Sequence, residues 1–249
     1  MLYYFTYKYL ALYNVLQIEI ENLFSREAAM AGMMTISEQV YRTLYDGIVS
    51  GEIPAGRKLT LKTIQDSLGV SSSPIREALT RLSEAGLIIY QPNVGMTVID
   101  ISYEDAVEIF ALAEEFDVIA LKFAFNSDSK HEMIIDLNHV QKKAAEALEH
   151  NDYEKWLYYS DEFHNVILKH CNNSRLVEAA EKNRIQLSIL SHKYQEKEEN
   201  NQEIHEEHNG ILRAIEAGNF KMAEKSMRSH LQSSARKSLQ LFEKSADSR

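Results

Sequence analysis

The stretch from Gly69 to Ile88, GVSSSPIREALTRLSEAGLI, carries more polar chemistry at its start than a packing helix requires. One capping side chain satisfies a helix N-terminus. Here Ser71, Ser72 and Ser73 run into Pro74, and Arg76 follows. Hydroxyls and unpaired backbone N–H groups at a helix start suit phosphate oxygens. An arginine in the next turn presents two parallel donors, the geometry that pairs with guanine O6 and N7 in a major groove. Proline fits the first turn because an N–H there has no intrahelical partner. Ala78, Leu79 and Leu82 mark the packing face. This chemistry is recognition of a polyanion rather than bond-making. No catalytic set is read from the sequence, and the chain is expected not to be an enzyme.

The flanking segments fix how such a helix would be held. TISEQVYRTL, from Thr35 to Leu44, reads as a helix capped by Thr35 or Ser37, with Val40, Leu44 and Ile48 at a spacing of four. GEIPAGRKL reads as a turn. Thr60 to Leu68 reads as a second helix closed by Gly69, and the helix from Ser73 to Ala85 is closed by Gly86. Two strand-like runs, Leu87–Gln91 and Met96–Ile99, flank Pro92-Asn93-Val94-Gly95, a hairpin signal. Three helices followed by a hairpin make a winged helix-turn-helix, its sharp second corner formed by Gly69-Val70-Ser71-Ser72. Asn93 and Gly95 at the wing tip join the candidate DNA contacts.

After Ile101 the pattern turns helical throughout, and no proline follows Pro92. Candidate helices run from Ser102 to Phe125, then over 130–150, 152–170, 174–194, 200–217 and 220–244, with polar breaks between them. The expected fold is mainly α: an N-terminal winged helix-turn-helix followed by an antiparallel all-helical bundle. The domain boundaries are read as 1–33, an N-terminal extension; 34–100, the winged helix; and 101–245, the bundle. Residues 1–24 are rich in Tyr, Leu and Phe but fit neither a signal peptide nor a membrane span. They read as an extension upstream of the functional start or as an additional packing helix.

Charge follows the same division. Of a net charge of −10 over 249 residues, the segment 34–100 holds six Lys and Arg against seven Asp and Glu, so a basic face can exist there locally. Residues 101–249 hold 19 against 27 and carry the acidity. The one cysteine, Cys171, excludes an internal disulfide and fits a reducing, cytoplasmic setting.

On these residues the segment 36–99 resembles the DNA-binding domain of the GntR family of bacterial transcriptional regulators. The resemblance rests on Ser50-Gly51, Pro54-Ala55-Gly56, Leu59, Leu68-Gly69-Val70-Ser71, Pro74-Ile75-Arg76-Glu77-Ala78-Leu79, Leu82, Gly86-Leu87 and Gly95. It implies DNA reading by Arg76, by the polar groups before it, by a basic residue of the second helix, here Lys62, and by the wing. The full candidate set is Lys62, Ser71, Ser72, Ser73, Arg76, Arg81, Asn93 and Gly95. Ser72 stands where many members place a second recognition arginine, which implies a different operator preference.

The bundle resembles the ligand-binding FCD domain of the FadR-type subfamily, through YYSDEFHNVILKHCNNSRL and EEHNGILRAIEAGNFKMAEKSMRSHL. That resemblance implies a divalent transition metal, zinc, nickel or manganese, held by His164, His208 and His230. The carboxylate usual four residues before the first histidine is here Ser160, so either Asp161 replaces it or the site is three histidines plus water or effector. An arginine usual on the first bundle helix is here Ala113. The implied effector is a small organic acid, with Tyr159, Ser160 and Arg213 as candidate contacts. His170, His192 and His205 are read as surface residues. A homodimer on a palindromic operator is expected, because one recognition helix reads only a few base pairs. The expected function is a transcriptional regulator, a repressor, with no membrane partner. A metal-dependent hydrolase joined to a winged helix, or a dimeric DNA-binding protein without ligand, are the alternatives.

Overall fold

The computed structural model describes residues 34–91, 95–194 and 198–246. The N-terminal extension and the wing-tip Asn93 therefore lie outside the described residues. The chain divides into two compact units, with the boundary after Ile101.

The first unit contains helices α1 (Ile36–Val49), α2 (Leu61–Leu68) and α3 (Ser72–Glu84) and strands β1 (Lys58–Leu59), β2 (Ile88–Gln91) and β3 (Gly95–Val98). Thr35 caps α1 by accepting from the Glu38 N–H at 3.2 Å, and Val40, Leu44 and Ile48 of that helix are buried. Thr60 caps α2 in the same way through the Thr63 N–H. Gly69 ends α2 at φ 65°, a left-handed conformation that a side chain would strain, so the tight turn into α3 requires glycine. From α3, Ile75, Ala78, Leu79 and Leu82 fill the core at helical spacing.

Lys58–Leu59, expected as part of a turn, instead forms a short third strand. It pairs with β3 in the order β1-β3-β2, with Lys58 opposite Thr97 and Leu59 opposite Met96. A two-residue strand has too little pattern to stand out from a turn rich in Gly and Pro. Its role is physical: it covers the outer edge of β3 and buries Leu59.

The second unit is a bundle of six helices: α4 (Tyr103–Phe125), α5 (Lys130–Glu149), α6 (Tyr153–Lys169), α7 (Ser174–Tyr194), α8 (Glu198–Glu216) and α9 (Phe220–Ala246). Ser102 and Asp105 form a reciprocal capping box at the start of α4. The breaks fall where the sequence places polar pairs. Asn151 and Asn172 adopt positive φ, which asparagine tolerates better than most residues. All six helices contribute to one core, which includes Leu121, Met133, Phe163, Ala180, Ile211 and Met227. α4 packs chiefly against α9 and α7, and buried Asp117 interrupts its apolar face.

Candidate metal centre and nucleic-acid interface

Three helices deliver one imidazole each to a common point. His164 comes from α6, His208 from α8 and His230 from α9, and their side chains are at most 6% exposed. Nε2 of His208 lies 3.2 Å from Nε2 of His164 and 3.1 Å from Nε2 of His230. Nitrogen ligands at ~2.1 Å from a metal are ~3.0–3.4 Å apart at right or tetrahedral angles. The three ligand atoms, all within 4.8 Å of one another, thus fit one transition-metal ion. These are the residues that would hold it, and imidazole donors suit zinc and nickel.

The surroundings hold each ring differently. Oδ2 of Asp117 lies 2.7 Å from Nδ1 of His164, and Oε2 of Glu207 lies 2.8 Å from Nδ1 of His230. The ring of His208 stacks on Phe163 at 4.4 Å and 4°. Burial, reinforced by the neighbouring His230 and His164, pushes His208 well below the usual imidazole range. Burial also lowers His164, against the pull of Asp117. Burial opposes ionisation of Asp117, but Arg184 and His164 outweigh it and hold its carboxyl below the usual range.

Asp161 does not join the three nitrogens. Its Oδ2 accepts from Ser188 Oγ at 2.8 Å, and its backbone carbonyl accepts from Arg184 Nη2 at 3.2 Å. Three residues before His164 it sits on the flank of α6 facing α7, so its carboxylate is spent on α7. The arrangement is the other alternative, three histidines with a remaining face open. A cavity of about 30 Å³ is lined by His164, His230, Ser160, Asp161 and Arg184, with Phe110, Leu187 and Leu231 among its apolar wall. At ~10–15 Å³ per water this is room for about two waters, or the head of a small ligand.

Arg184 is the cation of this cavity. It is 9% exposed; its Nη1 lies 3.3 Å from Asp117 Oδ2, and its Nε is buried without a hydrogen-bond partner among the described residues. Of the expected effector contacts only Ser160 lines the cavity. Arg213 is exposed on the outer side of α8, and Tyr159 is half-buried against the core beside Tyr158. Two surface assignments are also corrected. His170 is buried with Nε2 2.9 Å from Asp136, and His205 is buried beneath α5, apart from the three. His192 is half-buried and bonds the Ser188 carbonyl.

Asp117, Arg184 and Glu207 are the functional candidates that sequence reasoning missed. A charge within the apolar pattern of α4 was the available signal for Asp117. Arg184 and Glu207 carry none, since each sits among exposed charges along its own helix.

In the first unit, α3 begins at Ser72 with Ser71 as the N-cap residue, and the Ser71 side chain makes no capping bond. Ser71, Ser73, Arg76 and Lys62 are exposed, and Ser72 is half-buried. Gly95, at φ 104°, starts β3 opposite Gln91. Arg81 is placed elsewhere. Its Nη1 donates to Glu38 at 2.7 Å, and its guanidinium lies 3.9 Å above the Tyr41 ring. That face of α3 is turned to α1, and Arg81 braces the two helices there. The hydrogen bonds from Arg81 and Arg42 hold the Glu38 carboxyl below its usual range.

A winged helix joined to a helical bundle with an interior histidine centre defines a class of DNA-binding regulators. Residues 36–98 match the bacterial regulatory proteins of the gntR family, and residues 108–233 match the FCD domain. The chain belongs to the gntR family of transcriptional regulators, in its FCD-containing branch. It is 27% identical over 199 residues to a probable D-xylose utilization operon transcriptional repressor of Paenarthrobacter nicotinovorans, covering 79% of this chain and 86% of that protein. Its fold is similar to that of Escherichia coli McbR/YncC, with a TM-score of 0.70 at 22% identity over 81% of this chain and 96% of the other. A putative GntR regulator from Rhodococcus sp. RHA1 aligns with a TM-score of 0.69 at 20% identity, over 82% and 97%. Among the described residues no helix is long and apolar enough to cross a membrane.

Proposed function

We propose that the protein is a homodimeric repressor whose operator affinity is set by a small organic anion bound beside a metal held by His164, His208 and His230. The observation that carries this reading is the convergence of three buried Nε2 atoms next to a cavity with a buried arginine. A bound divalent metal supplies an open coordination position that a carboxylate oxygen can complete. Arg184, with an unpartnered Nε–H, offers the second point of attachment. Ser160 adds a hydroxyl on the same wall. An anion bound this way ties α6, α7, α8 and α9 together. It favours one arrangement of the bundle, and operator affinity follows from the difference between states.

On the DNA side, Arg76 reads bases while Ser71, Ser72, Ser73 and Lys62 position the helix on phosphates. The wing residue Gly95 allows close approach to the backbone. A repressor reading agrees with the role named for the Paenarthrobacter relative. For the homodimer, α4 exposes Leu112, Ile119 and Phe123 along one stripe, with Glu108 and Lys122 toward its ends.

The test is a fluorescence anisotropy titration on DNA upstream of the protein's own gene, at two salt concentrations, with and without a chelator. Sequence-dependent binding that changes when metal is removed supports the reading. Affinity equal to that for random DNA under every condition overturns it.

A further inference from the structure

We propose that Asp117 and Glu207 are positioning residues that aim two of the three imidazoles at the metal; this rests on the metal reading above. A neutral imidazole carries one N–H, and the atom opposite it presents the lone pair. The hydrogen bond between Nδ1 of His230 and Glu207 at 2.8 Å places that hydrogen on Nδ1, and the Asp117 carboxylate 2.7 Å from Nδ1 of His164 favours the same tautomer there. Nε2 of each is then a free donor atom directed at the common point. Such outer partners set ring orientation and raise ligand basicity.

The two carboxylates come from helices other than those of the histidines they serve. Asp117 on α4 reaches His164 on α6, and Glu207 on α8 reaches His230 on α9. Glu207 is next in sequence to His208 yet serves His230, because adjacent residues on a helix point about 100° apart. His208 is held instead by stacking on Phe163. The centre is therefore asymmetric, with the His230 ring held by a hydrogen bond to Glu207, the His164 ring beside the Asp117 carboxylate and the middle ring by packing. Asp117 has a second task, because the same oxygen faces Arg184 at 3.3 Å. Removing it leaves the buried Arg184 guanidinium without its carboxylate, so Asp117→Ala tests folding as much as positioning. Glu207, with its side chain 25% exposed, is the cleaner site.

The experiment uses the full chain and two readouts. Long-range 1H–15N spectra of the metal-free protein report the histidine tautomers, and competition with a chromogenic chelator reports zinc affinity. In the wild type, His164 and His230 are expected as Nδ1–H tautomers. Glu207→Ala should move His230 to a mixed tautomer and weaken zinc by about 10–100-fold, with helix content retained. Glu207→Gln keeps an acceptor oxygen and should recover part of both. Asp117→Asn should shift His164 alone. A Glu207→Ala protein with the wild-type His230 tautomer and unchanged zinc affinity overturns the proposal. A wild type that binds no zinc removes the metal reading, and the tautomers of the metal-free chain still decide the positioning.

Discussion

The groups proposed to read DNA lie on the surface of the winged unit, whereas those proposed to hold metal and anion are buried in the bundle. Arg76, Lys62, Ser71 and Ser73 are exposed, while His164, His208, His230, Asp117 and Arg184 are nearly inaccessible. The proposed partners differ in size, and that difference would account for the contrast. A duplex is a large polyanion that must be met by a protruding, hydrated face, and each contact there contributes modestly in high dielectric. A metal or small anion must be surrounded, and its charged partners then act in a medium where unpaired polar groups are costly. Substitutions in the bundle should therefore be severe and coupled, and those on the winged helix milder and closer to additive.

The largest effect is expected from His208→Ala. Its Nε2 is within 3.2 Å of both other nitrogens, so it is the middle ligand. Its loss leaves two imidazoles and should weaken zinc by more than the ~10–100-fold typical of outer-partner changes. Isothermal titration of the metal-free chain would measure this. Retention of wild-type affinity would show that the three rings are a buried polar cluster and not a metal centre.

Next comes Arg76→Ala. An exposed base-reading arginine should contribute about 1–3 kcal/mol of specific binding, about 5–150-fold, and relax the preference at one operator position. Lys62→Ala should weaken binding to all sequences alike and reduce the salt slope by about one. Anisotropy titrations on matched and mutated operators separate the two. Equal losses on specific and random DNA for Arg76→Ala would make it a phosphate contact.

The difference in burial also explains what the sequence disclosed. The winged helix was legible because exposed recognition depends on local order: a cap, a glycine at Gly69, a proline at Pro74, an arginine at Arg76. The helices of the bundle were legible by period, nearly to the residue. The centre was legible only in its three histidines. Asp117, Arg184 and Glu207 take their roles from contacts between helices separated by 67 residues for Asp117 and Arg184 and by 23 for Glu207 and His230, and no local spacing encodes those. Asp161 shows the converse error. Its spacing from His164 was suitable, but the neighbouring helix α7 decides what its carboxylate meets.

A third test separates the units by pH. The folded pKa of His208 and of His164 is depressed by burial. In the unfolded chain the same groups protonate near ~6.5, so below that pH the unfolded state binds more protons. Stability of the metal-free bundle should be full above the unfolded value and decline as pH falls toward the folded values. Asp117, also depressed, adds a further loss in acid as pH drops through its folded pKa. Scanning calorimetry of the full chain between about pH 7.5 and 5.5 should show the bundle's transition moving down, and His208→Gln should flatten that dependence. A transition that stays in place would mean the imidazoles are not held neutral by burial.

The smallest effect, and the sharpest for the comparison, is that of Arg81→Ala. Arg81 lies on the recognition helix, five residues after Arg76, and a count of basic residues alone would assign both to DNA. Its guanidinium is instead committed to Glu38 at 2.7 Å and to the face of Tyr41, on the side of α3 turned to α1. A partly exposed ion pair contributes about 0.2–1 kcal/mol, and an exposed cation–π contact about as much. Arg81→Ala should therefore cost about 1 kcal/mol of stability in the winged unit while leaving operator affinity and its salt slope unchanged. Arg81→Lys should recover the charge pair with Glu38 but little of the stacking, because an ammonium lacks the planar face of a guanidinium. A salt slope reduced by about one would instead place Arg81 on a phosphate. The division between reading residues and bracing residues on α3 would then have to be redrawn.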